Sequence, residues 1–239
     1  MAAGFAVVSN VAAFKRGVDR IAGQLVYAQA VALTKTAKYV QSSLRADMER
    51  VFDRPTRWTL NSLYIRPATK DRLVSTIAFK DFAPKGTAAG KYLKPQVYGG
   101  GRGHKRFEKW LTGRGIMDAS EYCVPGPGAR LDGNGNWSGG QITAILSQLQ
   151  VSPDASQWET KHSRKKAGRK RARVFVPKHG SRLRRGIWMR DGRAIMPIAF
   201  FVRQPQYGVR FRFHDLARRH ALRVGPLRYR EQLDRLFKR

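Results

Sequence analysis

The five histidines have the widest range of chemistry in this sequence, because imidazole serves both as a general base and as a metal ligand. None of them belongs to the His-Glu-x-x-His pattern that binds zinc on a helix. His214 and His220 are six residues apart, a spacing that does not place two side chains on one face of a helix. The histidines therefore predict titrating surface groups and not a metal site.

A short segment rich in glycine and asparagine, Asp132–Asn136, is similar to the start of a calcium-binding loop. It supplies side-chain oxygens at the first, third and fifth positions of such a loop. The match ends there, because Trp137 stands where the sixth position requires glycine and Thr143 stands where the twelfth requires an acid. We interpret the segment as a turn that leads into a helix at Gln141.

Other patterns that carry catalysis are not found in the sequence. Gly99–Gly103 lacks the lysine and the hydroxyl residue of a phosphate-binding loop. Cys123 is the only cysteine, which excludes an intramolecular disulfide and a multi-cysteine zinc site. The 16 acidic residues show no spacing typical of paired catalytic carboxylates or of a nuclease motif. We therefore expect a protein that is not an enzyme and has no cofactor, with a metal-dependent nuclease as the weakest alternative.

Positive charge is the dominant property of the chain. There are 47 Lys and Arg residues against 16 Asp and Glu, which gives a formal net charge of +31 over 239 residues. The apolar fraction of 42% is enough to build a core. A charge of this size destabilises a compact fold by self-repulsion and favours an anionic partner. Nucleic acid and the acidic surfaces of other proteins both satisfy that requirement.

The charge is concentrated between Thr160 and Arg190, where thirteen residues are Lys or Arg and none is acidic. Because His162–Arg173 has no apolar periodicity, residues 151–172 are predicted to form a flexible basic arm. Residues 160–173 contain no aromatic side chain, which disfavours stacking on single-stranded bases and favours sequence-blind contacts to phosphates. The candidate contacts to DNA phosphates or to an acidic partner are Lys161, Arg164, Lys165, Lys166, Arg169, Lys170, Arg171, Arg173, Arg182, Arg184 and Arg185.

Two long amphipathic helices are predicted near the ends of the chain. Apolar residues recur at steps of three and four over about Val11–Phe52, and Arg54-Pro55 predicts the end of that helix. A second helix is predicted at His214–Lys238, where Gly225-Pro226 indicates a kink or an interruption. The apolar stripe of the first helix drifts around its axis, which is compatible with a core helix and with a helix that packs against neighbouring subunits.

A short helix is predicted at Thr56–Tyr64, and strands are predicted where β-branched and aromatic residues cluster. The last two strands are joined through Asp191-Gly192-Arg193, which is typical of a tight hairpin turn. Pro197 within the last strand predicts an edge position or a bulge. The predicted strands are Leu73–Phe79, Val174–Val176, Gly186–Arg190 and Ala194–Val202.

Glycine and proline are concentrated in the middle of the chain, so residues 84–150 are predicted to form a loop-rich helical insertion. Its helical pieces are Lys91–Tyr98, Lys105–Leu111 and Gln141–Gln150. Residues 1–83 and 173–239 are predicted to form one α+β domain together. In that domain, an antiparallel sheet of about four strands is flanked by the long N-terminal helix and the C-terminal helix.

Three segments carry a resemblance to a known group of proteins. They are Ala32–Lys38 with the rest of the N-terminal helix, Arg54–Lys70, and Gly186–Phe200 followed by the basic C-terminal helix. Together they resemble the bacteriophage and prophage tail proteins of the minor tail protein Z and tail-completion group. Tyr98–Leu111 and Val124–Asp132 also look like uncharacterised prophage proteins of this size.

The resemblance implies a structural virion protein, placed in the tail or at the head–tail junction as a tail-completion, neck or minor tail component and made in the host cytoplasm. The implied partners are a tail terminator, tail tube, connector or portal-proximal subunits, in a homo-oligomeric ring with non-specific contact to packaged DNA and no membrane. The group has no catalytic motif, so no functional residue is carried over. The alternative is a sequence-independent nucleic-acid-binding protein that contacts the phosphate backbone.

Overall fold

The computed structural model describes residues 11–84, 86–166, 172–178 and 180–238. This part of the chain contains seven α-helices, one short 3₁₀ helix at Ala155–Gln157 and eight strands. The prediction of an α+β protein with long terminal helices and a four-stranded antiparallel sheet is confirmed. In chain order the elements are α1 (Val11–Val51), α2 (Arg57–Leu60), β1 (Leu63–Arg66), β2 (Thr76–Phe79), α3 (Ala89–Tyr98), β3 (Gly100–Gly101), α4 (Arg106–Gly113), β4 (Glu121–Pro125), α5 (Gly139–Gln148), α6 (Lys161–Lys166), β5 (Arg173–Phe175), β6 (Gly186–Asp191), β7 (Ala194–Arg203), β8 (Gln206–Tyr207) and α7 (Phe213–Phe237).

The chain divides into two compact units. The first contains the described residues up to Leu93 and from Phe211 onward, and the second contains residues 94–210. This division differs from the predicted one, which joined residues 1–83 to 173–239 and set 84–150 apart as an insertion. The reason is β4, which lies within residues 84–150 and pairs with β7 over five residues. That pairing places part of the supposed insertion in the same sheet as β5–β7.

The first unit is built on the packing of α1 against α7. Val40, Leu44 and Met48 recur at steps of four along α1 and are almost fully buried. The side-chain amide of Gln41 donates a hydrogen bond of 2.8 Å to the carbonyl of Leu63, which ties the antiparallel β1–β2 ribbon to α1. The long N-terminal helix thus has a core-facing stripe over its C-terminal half.

Both terminal helices lie close to their predicted bounds. α1 ends at Val51 because Arg54 adopts a left-handed backbone with φ +43° and Pro55 follows it. α7 continues through Pro226, so the interruption that the sequence suggested there does not occur. Pro226 removes one backbone donor, but Val224 is buried beside it and packing on α1 holds the helix together.

The predicted helix at Thr56–Tyr64 is wrong in its second half. Thr56 caps α2 by accepting a hydrogen bond from the N–H of Thr59, but the helix ends at Leu60. The next residues form β1, in which Leu63 pairs with Phe79. Burial of Leu63 against α1 favours an extended chain here over a further helical turn.

The second unit is built on the sheet β4-β7-β6-β5, in which all neighbours are antiparallel. One face of this sheet is covered by α4 and α5, and its core includes Leu111, Ile145, Ile187 and Ile198. Met117 and Cys123 complete the same cluster and are almost fully buried. Because β4 was not predicted, the part of this core that β4 supplies was not predicted either.

The β6–β7 hairpin confirms the predicted turn. Asp191 pairs with Ala194, and Gly192 between them has a positive φ of +58°. Pro197 lies opposite Trp188, where the register shifts between Ile187 and Trp188. Since β7 is a central strand, the bulge and not an edge position explains the proline.

Candidate functional site

The predicted basic contacts lie on several elements of the second unit. By position they are Lys161, Arg164, Lys165 and Lys166 in α6, Arg173 in β5, and Arg182, Arg184 and Arg185 just before β6. Arg169, Lys170 and Arg171 lie outside the described residues. The structure therefore separates the predicted set into a helical group and a group at the sheet.

The first part of the predicted basic arm is folded. The N–H of Ser163 donates to the hydroxyl of Thr160 at 3.0 Å, and the N–H of Thr160 donates to the hydroxyl of Ser163 at 2.9 Å, which holds the start of α6. Upstream, the indole N–H of Trp158 donates to the carbonyl of Ser152 at 2.8 Å. The described part of residues 151–172 thus differs from the flexible arm that the sequence predicted.

Arg185 is held by carboxylates of its own unit. Its guanidinium donates to both carboxylate oxygens of Glu121, at 2.9 and 2.8 Å, and to Asp118 at 3.3 Å. The hydrogen bonds to Glu121 raise the pKa of Arg185 above its ordinary value. Two carboxylates of the same unit thus already neutralise Arg185, and its contact with a partner stays a prediction.

Arg173 and Arg184 belong to a surface on the sheet face opposite the core. Side chains alternate between the two faces of a strand, so Arg173 and Phe175 share a face and Trp188 and Arg190 share it with them through the β5–β6 pairing. We call this surface the aromatic–arginine face and define it as Arg173, Phe175, Arg184, Trp188, Arg190 and Phe200.

The three rings of the aromatic–arginine face come from neighbouring positions on adjacent strands. Phe175 lies directly opposite Trp188 in the β5–β6 register. Trp188 meets Phe200 edge to face, with ring centroids 6.2 Å apart. The indole N–H of Trp188 donates to the carbonyl of Arg184 at 2.9 Å, which fixes the ring. All three rings are half-buried and keep part of their surface in solvent.

The arginines of this face lie against the rings. The Arg184 guanidinium carbon is 5.1 Å from the centroid of Phe200, and that of Arg190 is 5.8 Å from the centroid of Phe175. Arg173 pairs directly with Arg190 across β5 and β6, and both are exposed. Like charges directly opposite each other destabilise a sheet, so an anion between them would relieve the repulsion.

Sequence reasoning missed the rings of this face and Arg190. The signal was present in the alternation Arg173-x-Phe175 and Trp188-x-Arg190 on two predicted strands. It was overlooked because aromatic residues were sought only within 160–173, whereas strand pairing places them beside the basic run from outside it.

A second polar cluster surrounds the buried carboxylate of Glu108, whose exposed fraction is 0%. Arg102 donates to both of its oxygens, at 2.7 and 2.5 Å. The N–H groups of Lys105 and Cys123 donate to it at 2.5 and 2.8 Å. Burial alone would raise the pKa of Glu108, but these hydrogen bonds outweigh it and hold the pKa below its usual range. Every oxygen is thus occupied within the fold, which indicates a structural role.

The thiol of Cys123 lies in the core of the second unit. Burial, together with the negative charge of Glu108, raises the pKa of Cys123 to about 12. The thiol is therefore protonated at neutral pH, and the group is an inert core residue in the native fold.

Two histidines are half-buried and tied into the fold, whereas the sequence predicted surface groups. A ring nitrogen of His220 lies 2.8 Å from the buried carboxylate of Asp47. A ring nitrogen of His104 lies 2.8 Å from the carbonyl of Glu121, and its ring stacks on Tyr122. His162 and His214 are exposed, as expected, and His179 lies outside the described residues.

The N-terminal half of α1 carries an exposed apolar stripe. From Lys15 to Tyr27 every side chain is exposed or half-buried, and Ala28, which follows them, is buried. Val18 and Ile21 are 49% and 50% exposed, and half-buried Leu25 follows them on the same side of the helix. We call Val18, Ile21 and Leu25 the α1 ridge.

A groove of about 640 Å³ lies between α1 and α7 in the first unit. Its apolar lining includes Leu33 from α1, Leu73 from the segment before β2, and Leu222 and Tyr229 from α7, all of which are exposed. We call this surface the α1–α7 groove. Its lining begins at Gln29, one helical turn beyond Leu25, so the groove follows the α1 ridge along α1.

Among the described residues, no three His, Cys, Asp or Glu side chains are grouped so that they could hold a metal ion. None of the described helices is both long and apolar enough to cross a membrane. Comparisons with protein-family models, with curated proteins and with solved structures found no significant match.

Proposed function

We propose that this chain is a structural, non-enzymatic subunit of a bacteriophage virion. Its place is the tail or the head–tail junction, as a tail-completion, neck or minor tail component. The proposal takes the virion setting from the resemblance of the sequence, and the observation that carries it is the α1 ridge. A helix that presents an ordered apolar stripe to solvent is suited to assembly with further subunits.

The α1 ridge supports assembly for an energetic reason. Residues 11–27 form the first part of α1, yet no side chain from Lys15 to Tyr27 is buried. Most helical stability in proteins comes from the packing of an apolar face, and this stretch of α1 has no such packing within the subunit. Burial of Val18 and Ile21 on a neighbouring subunit would stabilise the helix and remove apolar surface from water.

The α1–α7 groove supplies a matching surface on the same unit. A ridge and a groove at different places on one subunit form a head-to-tail contact, which closes into a ring when the rotation permits. We therefore assign the α1 ridge of one copy to the α1–α7 groove of the next. The net charge of +31 then fits acidic surfaces on the terminator, tube, connector or portal-proximal neighbours.

The head-to-tail contact is tested with two double variants. Val18→Gln with Ile21→Gln removes the ridge, and Leu73→Gln with Leu222→Gln removes the groove. Each is expected to be monomeric by sedimentation, whereas a mixture of the two yields heterodimers, because one intact ridge and one intact groove are left. Arg16→Gln with Arg20→Gln is the matched control on the opposite side of α1 and keeps the oligomer.

Two results contradict the proposal. If both double variants assemble like the unaltered chain, the ridge and the groove are not the contact. If mass spectrometry of purified virions does not detect the protein, the virion role itself fails.

The second candidate function is sequence-independent nucleic-acid binding, and the exposed arginines of the aromatic–arginine face favour it. Arg173 and Arg190 face each other without an intervening carboxylate, and Arg184 lies on the same face. Contacts between arginines and DNA phosphates predict that affinity for arbitrary duplex DNA falls steeply as the salt concentration rises. Binding that does not change with salt contradicts this candidate.

A further inference from the structure

We propose that the aromatic–arginine face of the second unit binds single-stranded DNA by stacking bases on its rings. This inference goes beyond the structural role and is independent of it. It narrows the second candidate function, since the ligand becomes an unpaired strand and not a duplex. It also reverses the expectation that stacking on single-stranded bases is disfavoured, which came from the lack of aromatic side chains in residues 160–173.

The rings are placed as a stacking platform. Phe175 and Trp188 are direct cross-strand neighbours, and Phe200 continues the row at 6.2 Å from Trp188. Each of the three side chains is half-buried, so the sheet holds the ring in place while part of the ring surface stays open to solvent. Aromatic side chains arranged in this way accept successive bases of a strand whatever their sequence.

The arginines supply the contacts to the backbone. Arg173 and Arg190 are exposed and directly opposed, so a phosphate between them would replace a repulsion with two attractions. Arg184 lies at the other end of the row of rings, 5.1 Å from Phe200. The guanidinium groups of Arg184 and Arg190 lie over Phe200 and Phe175, so DNA binding requires both groups to turn from these rings to the phosphates as the bases stack.

Among the described residues of β5, β6 and β7, none that shares this face carries a carboxylate. The strand residues that share it by alternation are aromatic, aliphatic or basic in β5, β6 and β7. Asp191 lies at the turn that ends β6 and not within the row. The charge of the face is thus complementary to a polyanion.

The chemistry of the face selects one polyanion. A duplex keeps its bases stacked on each other and offers none to the rings. An acidic protein segment would satisfy the arginines and leave the rings without a planar partner. The base stacking and phosphate contacts offered by the face do not depend on the 2′-hydroxyl that distinguishes RNA from DNA, so the oligouridylate measured below tests the choice of DNA. Single-stranded DNA uses both the rings and the cations.

The test measures binding of the full chain to a fluorescent oligothymidylate of about 20 nucleotides. An oligouridylate and a DNA duplex of the same length are measured beside it by anisotropy at two salt concentrations. We expect the oligothymidylate to bind most tightly. Duplex binding that is equal or tighter overturns the inference while the phosphate-only function stands, and an oligouridylate that binds tenfold tighter overturns the choice of DNA.

Ring removal locates the site. Phe175→Leu and Trp188→Leu keep apolar bulk and should each weaken oligothymidylate binding by about five- to 150-fold, the usual effect of losing one base–ring stack. The matched controls are Phe82→Leu and Trp58→Leu, whose rings are exposed in the first unit, and they should bind normally. Equal losses in variants and controls, or none in either, contradict the site.

A conservative variant distinguishes loss of the stacking ring from loss of the fold. Trp188→Phe keeps a ring and should retain most of the affinity that Trp188→Leu loses. If Trp188→Leu fails to fold, Arg173→Gln with Arg190→Gln tests the same face, and each lost phosphate contact should reduce the slope of log affinity against log salt by about 0.7. An unchanged slope in that variant overturns the proposal.

Discussion

Glu108 is a carboxylate buried from solvent, and its two oxygens accept four hydrogen bonds, two from Arg102 and one each from the N–H groups of Lys105 and Cys123. A buried charge is costly unless every lone pair finds a donor. The cluster thus joins the loop before α4 to the middle of β4 and helps to hold α4 on the sheet.

Removing one member of this cluster should be far more damaging than removing a surface ion pair. We expect Arg102→Met to lower the free energy of unfolding by about 3–5 kcal/mol, because it leaves Glu108 charged, buried and short of two donors. Arg235→Met is the matched control, since the Arg235 side chain that pairs with Glu231 is 65% exposed and its loss should cost less than about 1 kcal/mol. Denaturant titration measures both, and equal costs would contradict the assignment.

The lowered pKa of Glu108 predicts how stability depends on pH. In the unfolded chain the carboxyl titrates near its ordinary value of 4.5, whereas in the folded chain its pKa lies lower. Between these two values the unfolded state binds more protons, so stability is full above the ordinary value and falls as pH drops towards the folded pKa. Unfolding midpoints measured from pH 6 to pH 3 should fall less steeply in Glu108→Gln, and parallel curves would refute the claim.

At the scale of elements, the β6–β7 hairpin is the framework of the aromatic–arginine face, and its start depends on a close approach of backbones. A Cβ atom on Gly186 would lie 2.2 Å from the carbonyl oxygen of Ala199 in the neighbouring strand. Side chains cannot absorb that overlap, because the atom in the way belongs to the backbone. The two central strands therefore need glycine at this position.

Gly186→Ala is expected to destabilise the second unit by about 1–3 kcal/mol, since the strands must separate or the backbone must strain. Gly208→Ala is the matched control, because a Cβ there would meet nothing within 4 Å. Thermal unfolding followed by circular dichroism distinguishes the two. If both variants unfold like the unaltered chain, the close approach does not constrain the sheet.

The elements show which parts of the fold the sequence could predict. α1 and α7 were predictable because their apolar periodicity runs over many turns and Arg54-Pro55 stops the first helix. β4 was not predicted, since Glu121–Pro125 is short, precedes a Pro-Gly-Pro-Gly segment and becomes a strand only by pairing with β7. The first two residues of β1, Leu63 and Tyr64, were predicted as helix for a similar reason, because the extended form of β1 depends on β2 and on burial of Leu63.

The candidate site was also predictable only where local sequence determines it. Arg173 and Arg184 were predicted from charge alone, while their association with Phe175, Trp188 and Phe200 depends on strand register, which no local pattern encodes. The pairing of Arg185 with Glu121 joins residues 64 positions apart and was equally invisible in the sequence.

At the scale of the whole molecule, the two units have separate cores, so unfolding need not be a single event. The only cysteine of the chain lies in the core of the second unit. A thiol reagent added to the native protein therefore reacts with Cys123 only after the second unit opens. The rate of labelling at Cys123 thus reports the opening of that unit. If the two units open independently, opening of the first unit does not expose Cys123.

The rate of Cys123 labelling can be used to test whether the two units open independently. Gly186→Ala should speed labelling of Cys123 by about tenfold for each 1.4 kcal/mol of lost stability when opening is in rapid equilibrium. Leu44→Ala, which creates a cavity between α1 and its neighbours in the first unit, should leave the labelling rate unchanged. If Leu44→Ala speeds labelling as much, the units open together, and an assembly contact on α1 would also regulate access to the sheet.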